Sequence, residues 1–485
     1  MALALATVLA FTLLPAAPAL AADAEHEPAN NMHTGMDIVT PGSIMTGGIS
    51  PAGDADWFGF PVATGRWYSI SVEGVSGFDP MIQMYEATGV NRLSLMDSQW
   101  TGVPFPGAVS KDVFVYYHAT STGHVHFAVT AGASGGTGAY EIKVAEVASA
   151  PAVATTVRLG GADRYEVAAN NMREGWTLAG TTNVIIASGL DKAMADPLTA
   201  SGLAGVYNAP ILLVRADRPT LPAYTATAIA QLKAANPGNK LKFYFVGGPA
   251  SVPDYVKTRI LAVAPGSTFE RLGGADRYEV AANVAARMRS VLGPAHPKAC
   301  FITNGQNPTY FPDSLACGPY AYKQHFPILL VKGGGSVPAV TETARKLYTT
   351  RYLVGSKSAL PDPLPTKLGA MRLEGNGRAQ VARLLAEHAF DWMGAGWLDR
   401  TLPRKLVIAN KLSDALTAGA FGGKVDAALL YTATNADNMP DQDTQEYLLR
   451  HSYNVTGKIY IDGGPATIPD IVVLMIQRLM GLDVS

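Results

Sequence analysis

The sequence predicts a multidomain chain: an N-terminal antiparallel β-sandwich followed by three α/β Rossmann-like modules with parallel sheets. Three observations predict it. The string RLGGADRYEVA stands at residues 158–168 and again at 271–281, and a diverged copy, RLEGNGRAQVA, stands at 372–382. Self-similarity on that scale decides architecture before any local reading does. Behind each copy, short all-apolar runs alternate with segments of helical spacing, the pattern of a parallel sheet covered on both faces. Ahead of the first copy the period changes to two, with Gly, Pro, Ser and Asp turns between the runs, as half-buried antiparallel strands require. Equivalent arginines of the copies lie 113 and 101 residues apart, too far for a solenoid and about right for a small domain with its own core.

Residues 1–22, MALALATVLAFTLLPAAPALAA, carry no charge and end in an Ala19-Leu20-Ala21 site suited to signal peptidase. They are expected to be a signal peptide, which makes the chain an exported one. The basic n-region is missing, and an uncleaved membrane anchor is the competing reading. No second apolar run reaches membrane-spanning length. Residues 23–147 form the sandwich, with strands expected at 67–74, 81–87, 113–119, 124–131 and 140–147. An Ala- and Pro-rich linker, ASAPAVATT, follows at 148–156.

The three units are expected at 157–269, 270–370 and 371–485. Each has a first strand, NVIIASG (183–189), ACFITNG (299–305) or KLVIAN (405–410). Next comes an aspartate, Asp196, Asp313 or Asp414, ahead of small and apolar residues at helical spacing, where an N-cap belongs. A second strand reads APILLV (209–214), FPILLV (326–331) or AALLYT (427–432). After an amphipathic helix, a third strand closes on a glycine turn: FYFVGGPASVP (243–253), RYLVGSKSALP (351–361), and IYIDGGPATIP ending at 469.

The R-L-x-G-x-x-R-Y-x-x-A start, the D-P-L or D-A-L helix, the P-I-L-L strand and the V-G-G turn, in that order and in three copies, resemble the cell wall binding repeat 2 family of bacterial surface proteins. The resemblance implies three modules packed as a pseudo-threefold trimer that holds a protein noncovalently to anionic cell wall polymers. It maps the family's Ile-Leu-Leu strand onto Ile211, Leu212, Leu213, Ile328, Leu329, Leu330, Leu429 and Leu430, which sheet core alone would also explain. The third copy departs from the pattern, with Gly377 for the aspartate of Asp163 and Asp276, Ala379 for the tyrosine, and Ala427 and Ala428 for Pro-Ile. That weakens its share of ligand binding, not its fold. In the sandwich, EPANN, GDADWFGF, GRWYSISV, DPMIQMY and GTGAYEIKV are similar to the bacterial pre-peptidase C-terminal domain. The resemblance implies a structural calcium held by Glu25, Glu27, Asn30, Asp54 and Asp56, against the alternative of solvated acidic turns. Ala29 sets Asn30 and Asn31 in competition for one role.

In open parallel sheets ligands gather beyond the carboxyl ends of the strands, where helix N-termini present free N–H groups. Those ends are Ser188 with Asp196, Asn304 with Asp313, and Asn410 with Asp414, and Arg215 and Lys332 follow the second strands. Arg164, Arg277 and Arg378 persist in every copy and could clamp phosphate or carboxylate bidentately; a structural ion pair is the other account of them. Charge favours a polyanion. Residues 23–150 hold 13 acidic and 4 basic residues, a net of −9, whereas the repeats hold 34 basic against 26 acidic, a net of +8, inside a chain whose total is only −1. For an exported chain that partner is an anionic cell wall polysaccharide or teichoic-type polymer, not nucleic acid.

Cys300 and Cys317 fall on adjoining elements of the second unit, and either a disulfide or two buried thiols fits them. Catalytic patterns are accidental. GASGG at 132–136 lies between antiparallel strands, not between a strand and a helix. His124 and His126 lack a third ligand. The turns at Gly247, Gly248, Gly463 and Gly464 lack the dinucleotide fingerprint. No cofactor is expected beyond the calcium, and no stretch is left over for a catalytic domain. The expected function is a non-enzymatic surface protein anchored to a Gram-positive-type cell wall. An amidase-type wall hydrolase or its modifier, and a calcium-dependent adhesin or surface-layer component, are the alternatives.

Overall fold

The computed structural model describes residues 37–51, 54–75, 80–85, 112–119, 122–131, 136–147, 154–393, 405–433, 440–451, 455 and 457–480. The expected signal peptide, Glu25, Glu27, Asn30 and most of the expected linker lie outside these residues.

The N-terminal segment forms two four-stranded sheets. One runs Asp37–Ile38, Ala55–Val62, Gly123–Ala131, Pro80–Tyr85, and the other Ile44–Ile49, Gly138–Val147, Trp67–Gly74, Asp112–His118. Every pairing is antiparallel except that of the short Asp37–Ile38 with Ala55–Val62. Phe58, Phe60 and Phe127 of the first sheet share a buried core with Tyr68, Ile70, Tyr140 and Ile142 of the second, and the Phe58 ring meets Tyr140 edge-on at 6.3 Å. The five expected strands are present. Of the three unforeseen ones, two carry Gly47 and Gly48 or Gly59 and Pro61, which interrupt the alternation that marks a strand in sequence, and the third, Asp37–Ile38, is only two residues long.

Three parallel four-stranded sheets follow, all wound in the same order. The first is Ile211–Val214, Asn183–Ser188, Lys242–Val246, Thr268–Leu272. The second is Ile328–Val331, Ala299–Asn304, Thr350–Val354, Met371–Leu373. The third is Ala427–Tyr431, Lys405–Ala409, Lys458–Asp462, Thr155–Arg158. Sheets and sequence units are therefore out of phase by one strand: each sheet takes its fourth strand from the start of the next repeat, and the third takes its own from residues about 300 positions earlier. Thr155 and Thr156, expected in the linker, belong to that strand.

The helices Ala200–Tyr207, Gly318–Gln324 and Ala418–Val425 occupy the same place in each unit and pack on one another. The sixth residue counted from each unit's aspartate, Ser201, Gly318 or Gly419, meets its two equivalents there. A Cβ on Gly318 would stand 2.6 Å from the Gly419 Cα and 3.1 Å from Ser201 Oγ, so backbones touch where any side chain larger than serine would separate them. Each of these helices ends on a left-handed residue, Asn208, His325 or Asp426. Asn208 Oδ1 accepts from Tyr322 Oη of the second unit and Lys424 Nζ of the third, each at 2.9 Å.

Cys300 and Cys317 are free, and alternation along the strand is the reason. Cys300 faces one side of its sheet with Ile302, Leu329 and Val331, while Cys317 joins Phe301 and Leu330 in the core on the other and donates to the Ser314 carbonyl at 3.0 Å. Burial pushes the Cys300 thiol up to about 12 and raises that of Cys317 as well.

Candidate functional site

A helix follows the fourth strand at each repeat start: Arg164–Gly175, Arg277–Leu292 and Arg378–Met393. In the first two, Asp163 and Asp276 are N-caps, each accepting from the two N–H groups of Tyr165 and Glu166 or of Tyr278 and Glu279. Glu166, Glu279 and, in the third, Gln380 reach back to accept the N–H of Ala162, Ala275 and Asn376 at 2.6–2.7 Å. In the first two repeats cap and back-reaching carboxylate act reciprocally, as in a capping box, while the third has only the Gln380 half. These bonds fix the first helical residue, the arginine, at the carboxyl end of the neighbouring first strand. Arg164 donates to the Gly189 carbonyl and pairs with Asp191 at 2.6 Å. Arg277 donates to the Gly305 carbonyl at 2.9 Å. Arg378 reaches Asn410 Oδ1 at 3.4 Å and lies 5.8 Å from the centre of the Tyr431 ring. All three are half-buried.

The aspartates expected as N-caps are not caps. Asp196, Asp313 and Asp414 stand inside the first turns of Ala195–Leu198, Phe311–Ala316 and Leu412–Ala415, with Met194, Tyr310 and Lys411 in the cap position. Each helix starts two or three residues earlier than the sequence pattern suggests, and that shift points the carboxylate across the sheet at its third-strand turn. A Cβ on Gly247, Gly355 or Gly463 would come within 2.7–3.1 Å of the aspartate Oδ2. Gly247 and Gly355 also hold positive φ, so only glycine meets both demands. Burial raises the Asp196 carboxyl, opposed by a hydrogen bond from Ser251 and by the charge of Arg277. Burial pushes Asp313 up to about 7, opposed by the Ser356 backbone. The charge of Arg277 acts across two repeats, because that arginine opens the second unit and Asp196 belongs to the first.

Around these positions the structure gathers most of the expected site residues and separates others. Ser188 is buried, accepting the Leu190 N–H at 3.2 Å. Asn304 accepts from Gln306 and Asn307 and donates to the Ala359 carbonyl, and Asn410 donates to that of Thr467. Both asparagines thus tie the first-strand end to the third-strand turn. Arg215 makes a two-point pair with Asp217 at 2.6–2.7 Å and, with Arg164, acts on Tyr165. Lys332 is exposed and, among the described residues, makes no ion pair. Ile211, Leu212, Leu213, Ile328, Leu329, Leu330, Leu429 and Leu430 are buried in the sheets and present no surface to a ligand. Asp54 and Asp56 are buried; Asp54 Oδ1 accepts the Ala55 N–H at 2.9 Å and Asp56 accepts from Tyr140 Oη.

The leading arginine of each repeat escaped the sequence reading. Arg158, Arg271 and Arg372 donate to the Gly463, Gly247 and Gly355 carbonyls at 2.8–3.1 Å, so each clasps the turn of the preceding unit, and Arg158 clasps that of the last. Their presence in all three copies, beside a glycine turn repeated as often, was the signal available.

The family model for Cell wall binding domain 2 (CWB2) matches residues 158–257, 271–364 and 372–473. The N-acetylmuramoyl-L-alanine amidase LytC of Bacillus subtilis is 27% identical over 227 residues, 46% of this chain and 41% of that protein. The amidase enhancer of the same organism is 32% identical over 180 residues, 37% of this chain and 22% of that protein. The chain thus spans less than half the length of these relatives. Among solved structures, Cwp8 from Clostridium difficile shares the fold with a TM-score of 0.56 at 21% identity, covering 68% of this chain and 52% of that one. Cwp6 from the same organism does so with 0.55 at 18%, covering 88% and 69%. Three matched segments that together exceed half of the sequence, each built around the same four-stranded sheet, place this chain in the cell wall binding domain 2 family.

Proposed function

We propose that this chain is a non-enzymatic, exported surface protein held noncovalently on a Gram-positive-type cell wall, its three modules forming a pseudo-threefold ring that grips an anionic glycopolymer of the teichoic kind. The observation that carries this reading is the same half-buried arginine at the carboxyl end of the first strand in all three sheets, on a repeat region of net charge +8. The cyclic strand exchange and the meeting of Ser201, Gly318 and Gly419 support the ring. In the first two modules a cation, Arg215 or Lys332, follows the second strand. The third has the buried Thr432 at that position.

The N-terminal sheets, with one shared core, fit a β-sandwich of the pre-peptidase C-terminal kind that serves as a displayed or accessory module. Asp54 Oδ2 is buried with no hydrogen-bond partner, which supports a structural calcium there with Asp56. An amidase-type wall hydrolase or its modifier is the second reading, favoured by the names of the two Bacillus relatives.

The test is sedimentation of the full chain with isolated walls, before and after removal of their anionic polymers, across a salt series. Binding should vanish on stripped walls and weaken as salt screens the attraction. Equal binding to stripped walls refutes the polymer, and release of wall fragments by the purified chain refutes the non-enzymatic reading.

A further inference from the structure

The seam that closes the third module onto the first differs from the other two. On the third strand, the position held by Val246 and Val354 in the first two sheets is Asp462 in the third. On the helix packed against it, the position held by Val284 and Leu385 in the second and third repeats is Asn171 in the first. Two apolar positions have thus become polar together, and only where the last repeat meets the first. Asn171 Nδ2 donates to Asp462 Oδ2 at 3.2 Å and to Thr417 Oγ1 at 3.0 Å. The carboxylate common to all three modules, here Asp414, lies alongside: its Oδ2 is 3.1 Å from where a Cβ of Gly463, the residue after Asp462, would stand.

Three oxygens of this cluster, Asp414 Oδ2, Asp462 Oδ1 and Asn171 Oδ1, are buried without a hydrogen-bond partner. Asn171 is 1% exposed and Asp462 fully buried. Among the described residues no lysine or arginine is ion-paired with either aspartate. Two carboxylates and an amide oxygen left this way are strongly unfavourable unless something neutralises them. Oxygen is the donor that hard divalent cations select, and one amide with two carboxylates is a common part of such a set.

We infer that Asp414, Asp462 and Asn171, with Thr417 beside them, form a site for a hard divalent cation, calcium or magnesium, which staples the last repeat to the first and closes the ring. The remaining coordination positions fall to water or main-chain carbonyls. Burial and the neighbouring Asp414 raise the Asp462 carboxyl, the direction in which a buried carboxylate lacking a cation is driven. The other two seams need no ion, since Val246 with Val284 and Val354 with Leu385 fill the same space with hydrocarbon.

The test compares the metal-stripped full chain with the Asn171→Val/Asp462→Val double variant, which copies a sister seam, and with Asp462→Asn, which keeps the shape. Calorimetric titration with calcium chloride and magnesium chloride, and thermal melts with and without each ion, are the readouts. Wild type should bind one ion more than either variant and should show a melting-temperature rise on adding calcium or magnesium that both variants lose. The double variant should melt at or above the metal-stripped wild type. An identical metal response in all three proteins overturns the inference, placing any bound ion elsewhere, such as near Asp54. A wild type whose melting temperature ignores both ions but climbs as pH falls also overturns it, showing that the carboxylates share a proton in place of a cation.

Discussion

At the scale of single residues, the anchor motif separates into parts with different jobs. Asp163 and Asp276 cap, Glu166 and Glu279 complete the box, and the arginine between them reaches the sheet end. The third repeat keeps the box partner, Gln380, but has Gly377 as its cap, with no atom within 4 Å of the space a Cβ would take. Gly377→Asp should therefore stabilise the third module by a few tenths of a kcal/mol, read as a slightly higher melting temperature, and Asp163→Ala should cost about 1 kcal/mol; a destabilising Gly377→Asp would show that the helix start is held by other means. Arg164 and Arg277 donate to main-chain carbonyls, and the Asp191 partner of Arg164 is 80% exposed, so little stability rests on that ion pair. Changing both arginines to alanine should cut wall affinity at least tenfold while costing about 1–2 kcal/mol of stability; a mutant that unfolds in the cold, or one that binds normally, removes them from the site. Asp313 gives a pH signature. With its folded carboxyl near 7, above the ordinary value near 4, the folded state holds the proton more tightly, so stability falls as pH rises through that window. The loss is on the order of 2–4 kcal/mol, and Asp313→Asn should flatten the decline in melting temperature between pH 5 and pH 8. Parallel slopes would show that Asp313 ionises without cost.

At the scale of elements, periodicity was legible where strands were uninterrupted and silent where they were not. The first, second and third strands of every module stand where the apolar runs place them, because a strand buried on both faces has no polar position to blur it. The fourth strand was hidden inside the anchor: Thr268–Leu272 and Met371–Leu373 are short, half-exposed edges carrying Glu270, Arg271 and Arg372, and an edge strand with one wet side leaves no apolar run. The aspartates misled for a related reason, since an acidic residue near a helix start reads as a cap whether it bonds its own helix or, as here, faces a turn across the sheet. Glycines of the central helices were read only as small, yet their smallness is the contact. A Cβ on Gly205 would lie 2.0 Å from the Tyr322 carbonyl oxygen, and backbone cannot yield as a side chain tip does. Gly205→Ala should cost about 3 kcal/mol or more, whereas Gly238→Ala, with nothing within 4 Å, should be neutral or slightly stabilising. Equal effects in a denaturant melt would mean that the three helices can move apart freely.

At the scale of the whole molecule, the out-of-phase strands make the repeats interdependent in a way that tandem domains are not. The first two sheets are completed by the next stretch of chain, which costs little loop entropy, but the third is completed by Thr155–Arg158 at the other end of the repeat region. That strand covers the edge of Lys458–Asp462, extends the pairing through the Leu159 N–H to the Ile461 carbonyl at 2.9 Å, and positions Arg158 on Gly463 and Asp470. An uncovered edge offers unpaired N–H and C=O groups to water or to another chain. Damage at residue 157 should therefore appear about 300 residues away. Val157→Pro removes a donor and imposes a fixed φ in the middle of the strand, so hydrogen exchange should quicken at Lys458–Asp462 and in the helix Asp470–Leu479 packed beyond it, with Asn183–Ser188 of the first sheet unchanged. If protection were lost at Asn183–Ser188 and kept at Lys458–Asp462, the first strand would be serving its own repeat, and the three modules would be separate domains on a string.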